Sequence, residues 1–278
     1  MSNIRLIKKE RETQIGNFSV ERLLPFREKR AVGPFVFIDR MGPLTLNEHE
    51  NFDVPPHPHI GLSTLTYLFE GCMMHKDSIG TQIEINPGAV NLMTAGKGIV
   101  HSERTPERLR NQSKCLHGLQ IWIALPKHLE ETEPSFTHTP KEDLPVWENP
   151  TAQFKLIAGT AFDKTSPVPV HSPLYFIEIK SKSQGSIDLN DKLFGESALY
   201  ILEGSIIENN TTYNAGHILI PHDNRLCNFT ITENATVYIF GGEPFPEKRY
   251  MDWNFVSSDK ARLTKAKKDW INQQFPKI

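Results

Sequence analysis

Apolar residues recur at every second position through much of the chain. In Leu119 to Leu125, Leu119, Ile121, Ile123 and Leu125 fall on one face, with Gln120, Trp122 and Ala124 on the other. Successive side chains of a strand point to opposite faces, so this alternation predicts β-structure with one face packed. The runs Leu62 to Phe69, Gln82 to Ile85 and Val90 to Met93 read the same way. In the second half so do Leu174 to Lys180, Ala198 to Leu202, His217 to Ile220 and Thr236 to Phe240. Val, Ile, Leu, Thr and Tyr fill these runs, and Gly, Pro, Asn and Asp bound them. Many short strands with close turn signals predict a sandwich or barrel. Only the C-terminus carries a helical pattern. Ser258 is placed to cap a helix whose apolar stripe is Leu263, Ala266, Trp270 and Ile271.

The two halves echo each other. Leu65-Thr-Tyr-Leu-Phe-Glu-Gly71 resembles Ala198-Leu-Tyr-Ile-Leu-Glu-Gly204. Each is followed by a glycine that opens another strand, at Gly88 and at Gly216. The echo predicts a duplicated β-domain. Glu130 to Pro150 is polar and punctuated by proline, as a linker is. The expected division is therefore residues 1–135 and 136–278, the helix belonging to the second part.

The chain has 278 residues, a formal charge of −2, 38% hydrophobic and 23% charged residues. This is an ordinary globular composition, with no basic excess to favour direct nucleic-acid contact. No apolar run approaches the ~20 residues of a membrane span, and the N-terminus does not read as a signal peptide. Cys72, Cys115 and Cys227 are odd in number and widely spaced. They form no disulfide framework, so the expected compartment is the cytoplasm.

Against this plain background two short motifs stand out. Pro56-His57-Pro58-His59 carries two imidazoles at i and i+2. Gly98-Ile-Val-His101-Ser-Glu103 carries an imidazole and a carboxylate at the same spacing. On adjacent strands the two pairs converge. Three nitrogens and one oxygen suit a divalent transition metal such as Fe, Mn, Co, Ni, Cu or Zn, and do not suit Ca or Mg. Repeating the alignment in the second half places Asn190, Lys192, Phe229 and Ile231 at the ligand positions. One metal per chain is expected.

These residues carry a resemblance. Pro-His-Pro-His-Ile-Gly, Tyr-Leu-Phe-Glu-Gly, Met-Thr-Ala-Gly-Lys-Gly-Ile-Val-His-Ser-Glu and His-Gly-Leu-Gln-Ile-Trp are similar to the signature of the pirin family of the cupin superfamily. Phe-Gly-Gly-Glu-Pro-Phe at 240–245 resembles its bacterial members. The resemblance implies an all-β bicupin: two face-to-face antiparallel β-barrels of jelly-roll type, with a short C-terminal helix and metal only in the first barrel. It implies His57, His59, His101 and Glu103 as ligands and iron, as Fe(II), as the usual ion. It also implies quercetin (flavonol) 2,3-dioxygenase activity, which opens the flavonol with dioxygen and releases carbon monoxide. Glu103, the acidic ligand, would then take the proton of the 3-hydroxyl. The alternative role in the family is a redox-responsive iron-binding regulator acting through protein partners, as a transcriptional co-regulator or a modulator of a metabolic enzyme. One position departs from the pattern. Family members commonly carry a carboxylate four residues after the second histidine of the first motif, and here Ser63 stands there.

Other residues are candidates for the surroundings of the site. Phe37, Phe52, Met93 and Trp122 are candidates for an aromatic pocket. Lys97 is a candidate for positive charge near a substrate oxygen. Of the remaining histidines His75, His117, His171, His217 and His222, His117 is a candidate to support a ligand from behind.

Overall fold

The computed structural model describes residues 4–15, 18–222 and 226–278. Strand accounts for 56% of the chain and helix for 8%, so sheet packing supplies nearly all of the core. The strands marked by alternation form as expected, among them Leu62–Gly71, Gln82–Ile85, Val90–Thr94, Lys114–Ala124, Leu174–Ser181, Glu196–Glu203, His217–Pro221 and Thr236–Gly242. Among the described residues no helix is long and apolar enough to cross a membrane.

The chain forms two compact units. One comprises Glu12–Leu24, Val36–Lys141 and Phe245–Ile278. In it a seven-stranded sheet runs Ser135–Thr139, Val90–Thr94, Leu62–Gly71, Lys114–Ala124, Phe35–Leu46, Phe18–Leu24 and Arg11–Ile15 in spatial order. A four-stranded sheet runs Asp53–His59, Ile99–Arg104, Met73–Asp77 and Gln82–Ile85. The other unit comprises the segment through Arg11, Pro25–Phe35 and Glu142–Pro244, and likewise has an eight-stranded and a four-stranded sheet.

Each unit thus takes a terminal segment from the opposite half of the sequence. Strand Ile4–Lys9 pairs antiparallel with His217–Pro221. The C-terminal helix, Lys260–Ile271, belongs with the histidine-bearing half, not with the second half as its sequence position implied. Its Leu263 and Ala266 pack against Ile60 and Phe255. Asp259 caps it, accepting from the Ala261 N–H at 2.8 Å, one residue later than Ser258. Ser258 instead donates its own N–H to Glu130. Ile271, expected in the apolar stripe, is 77% exposed. The linker-like stretch from Glu130 is also structured: Ser135–Thr139 pairs antiparallel with Val90–Thr94.

The internal echo corresponds to equivalent turns. Gly71 and Gly204 both lie in the left-handed region, at φ +79° and +69°. A β-carbon on Gly71 would meet the Cys115 carbonyl at 2.1 Å, and one on Gly204 would meet Ala235 at 2.6 Å. Only glycine fits either turn.

The C-terminal segment is anchored by a buried carboxylate. Glu130 accepts from Ser257 Oγ at 2.6 Å and from Ser258 N at 2.7 Å, and Arg249 Nε lies 3.3 Å away. Glu130→Ala takes the acceptor from the Ser258 N–H and the buried counter-charge from Arg249, whose guanidinium keeps only the Leu125 and Glu247 carbonyls and the more exposed Glu247 carboxylate. We expect a loss of about 3–5 kcal/mol. Urea unfolding checks this, and a loss below about 1 kcal/mol would contradict it.

Candidate metal centre

The Pro-His-Pro-His motif lies on Asp53–His59, the edge strand of the four-stranded sheet. Pro55, Pro56 and Pro58 donate no backbone hydrogen bond, and only an edge strand tolerates three such residues. The neighbouring strand, Ile99–Arg104, pairs His101 with His57 and Ile99 with His59. Between His101 and Glu103 the register shifts, so that Glu103 faces Val54. Three steps along the proline strand oppose two along its neighbour, which is a β-bulge at Pro55 and Pro56.

This register brings three imidazoles together. Ligand atoms of His57, His59 and His101 all lie within 4.8 Å of one another. His57 Nδ1 is 2.9 Å from the Pro55 carbonyl, and His59 Nδ1 is 3.0 Å from the Asn254 carbonyl. A carbonyl only accepts, so each Nδ1 carries the proton and each Nε2 presents a lone pair. Both ring nitrogens of His101 are buried without a hydrogen-bond partner. Burial, aided by the neighbouring imidazoles, holds His59 and His101 well below the ordinary histidine range, and burial also lowers His57. All three are neutral at pH 7, as metal ligands must be.

Glu103 stands outside this triad and lines the same cavity as His57 and His59. Its Oε1 is buried without a partner, and burial pushes its carboxyl up to about 7. Behind His101 the buried His75 lies 5.3 Å away between ring centroids, and its Nε2 is 3.0 Å from Asp77 Oδ2. His75-Lys-Asp77 has the same i, i+2 spacing as the two motifs, a signal that was present but had no partner in the primary sequence. Asn254 gave no signal, because it contributes a backbone atom from 195 residues away.

The cavity above the imidazoles has a volume of about 480 Å3. Phe37, Phe52 and Trp122 line it. Phe37 and Trp122 stack with centroids 4.1 Å apart, and Trp122 meets His59 edge-on at 5.0 Å. Trp253, which sequence reasoning did not single out, lines it too, in the left-handed conformation at φ +53°. Met93 packs elsewhere, with Ala95, Ile99 and Phe136. Ser63 is buried and bonds to Thr94 Oγ1 at 3.0 Å. Lys97 is half exposed and pairs with Glu133. His117 stands against Phe69. His171, His217 and His222 fall in the other unit, where Phe229 and Ile231 belong to the apolar core and Asn190 and Lys192 are exposed.

The Pirin family model matches residues 17–123, and the Pirin C-terminal cupin domain model matches residues 176–276. A pirin-like protein of Caulobacter vibrioides is 43% identical over 96% of this chain and 93% of its own length. A crystal structure of quercetin 2,3-dioxygenase from Acinetobacter baumannii superposes with a TM-score of 0.88 at 35% identity, covering 98% of this chain and 91% of that one. A bacterial pirin of Escherichia coli solved in complex with nickel(II) has a TM-score of 0.64 at 19% identity, covering 86% of this chain and 99% of that one, a likeness of fold alone.

Proposed function

The chain belongs to the pirin family, and from that premise we propose that it is a flavonol 2,3-dioxygenase holding one divalent transition metal at His57, His59, His101 and Glu103. The observation that carries the proposal is the set of buried, unpartnered donor atoms on His101 and Glu103, beside two imidazoles with free Nε2 lone pairs, under a cavity walled by aromatic rings. Orphaned polar atoms in a dry site cost free energy unless a ligand completes them. Three neutral imidazoles and one carboxylate fit iron(II), and the same donors admit Mn, Ni, Co, Cu or Zn. When bound, such an ion supplies Lewis acidity and a coordination position for dioxygen that the side chains lack.

The rest falls to this chain's own residues. Phe37, Phe52 and Trp122 give the cavity an apolar aromatic lining that suits a planar flavonol with its 3-hydroxyl toward the imidazoles. Glu103 receives the 3-hydroxyl proton. Glu103 is the one carboxylate among the proposed ligands, and a general base must lie within hydrogen-bond reach of the proton it takes. The apolar lining keeps bulk water from the deprotonated ring. The similarity to the A. baumannii quercetin 2,3-dioxygenase supports the same reading.

The test is carbon monoxide release from quercetin in air by iron-loaded protein. Turnover should appear with iron and vanish on chelation. Glu103→Gln should lower the rate per bound iron at least about 100-fold. A full rate in Glu103→Gln would remove Glu103 as the base, and no carbon monoxide from iron-loaded wild type would contradict the enzyme.

A further inference from the structure

The cavity contains a charged pair that the proposed chemistry does not use. Its inner wall is built from alternate residues of three adjacent strands: Val20 and Arg22, then Phe37, Asp39 and Met41, then Gln120 and Trp122. Most of these are apolar, as the inner face of a barrel should be. Arg22 and Asp39 are not, and Asp39 is only 1% exposed. Arg22 donates from Nε to Asp39 Oδ1 and from Nη2 to Asp39 Oδ2, both at 2.9 Å. Its guanidinium also lies 4.5 Å over the Phe37 ring, on the stack that ends at His59.

Stability alone does not account for this pair. At a position as buried as Asp39 a well-packed apolar residue usually serves as well as a charge or better, because the charge loses its hydration, and Arg22, whose side chain is 24% exposed, offsets only part of that cost. The pair does one thing apolar residues cannot. Asp39 holds the guanidinium fork rigid and leaves Nη1 for another acceptor. Nearby on the same wall, Gln120 Oε1 accepts from Thr66 Oγ1 at 2.9 Å, which leaves its Nε2 as a donor. Ligand cavities owe their selectivity to a few fixed polar groups in an apolar lining.

We propose that Arg22, oriented by Asp39 and assisted by Gln120, is a specificity-determining residue that binds a phenolic oxygen of a planar polyphenol at the end remote from the imidazoles. This rests on the reading of the cavity as a flavonol site and narrows it. The preferred substrates are polyhydroxylated flavonols, not bare flavonol skeletons. Asp39 is a positioning residue, acting through Arg22.

The experiment uses full-length, zinc-loaded protein, in which the metal undergoes no redox change. Two probes are titrated by tryptophan fluorescence. Quercetin carries hydroxyls on both outer ring systems. 3-Hydroxyflavone keeps the 3-hydroxyl and 4-keto group and has no other hydroxyl. Wild type should bind quercetin about tenfold or more tightly than 3-hydroxyflavone, the effect of one charge-assisted hydrogen bond. The double variant Arg22→Met, Asp39→Leu removes both charges together and should fold, since neither is left unpaired. It should bring the ratio to within about twofold of one, by weakening quercetin and sparing 3-hydroxyflavone. Gln120→Leu keeps the ion pair and should lower the ratio about threefold. An unchanged ratio in both variants, with binding of both probes abolished by His101→Ala, would overturn this inference and leave the flavonol site standing. Binding that ignores His101→Ala for both probes would overturn the flavonol site, and this inference with it.

Discussion

The variant His57→Ala, His101→Ala should contain less than about a tenth of a metal ion per chain after loading, against one for wild type, because a site left with one imidazole and one carboxylate is no longer a tridentate pocket. The same loss should appear in stability. A ligand that binds only the folded state stabilises it by RT ln(1 + [L]/Kd), about 4 kcal/mol at a thousandfold excess over Kd. For a chain of this size that corresponds to roughly 10 °C in melting temperature. Iron should raise the melting temperature of wild type by that order and leave the double variant unmoved. Elemental analysis and thermal unfolding, with and without chelator, read both quantities. Equal metal content in the two proteins would remove the histidines as ligands.

Glu103→Gln should make the metal-free protein more stable at pH 8, by an amount that disappears in acid. Burial raises the Glu103 carboxyl from 4.5 to about 7. The folded state therefore holds a proton between those values that the unfolded chain has released. Its contribution is fully present below 4.5, declines as pH rises, and is gone above 7. A shift of that size corresponds to about 3 kcal/mol. Glutamine has the same shape and no charge, so the variant escapes this loss. His57, His59 and His101 have the opposite dependence: their folded values lie below 6.5, so they cost stability as pH falls through that range. They are common to both proteins and cancel in the comparison. Urea unfolding in chelator at pH 4.5 and pH 8 should show the variant ahead only at pH 8. An advantage that is the same at both pH values would mean that Glu103 is not a buried titrating carboxyl.

What was legible in the chain, and what was not, follows from the range of each interaction. The barrels were legible because alternation is local: Leu119, Ile121 and Ile123 declare a packed face within five residues. The histidine cluster was legible because each motif places its pair on one face of one strand, and only one pairing was needed to join them. The position of Glu103 outside the triad was not, because it follows from a bulge at Pro55 and Pro56 that appears only once the two strands are in register. The exchange of terminal segments left no trace, since Ile4–Lys9 reads as an ordinary strand whichever sheet it joins. The support of His59 was equally hidden, because the Asn254 carbonyl is an atom every residue possesses. Arg22 and Asp39 carry no local signal of burial. Only the neighbouring strands turn them inward.

The most direct test of this account is a crystal structure of the iron-loaded protein with anomalous diffraction collected on both sides of the iron edge. One anomalous peak per chain is expected, within bonding distance of a ring nitrogen of each of His57, His59 and His101 and on the cavity side where Glu103 lies. A map with no peak among these three imidazoles, or with its principal peak in the unit that carries Phe229 and Ile231, would contradict it.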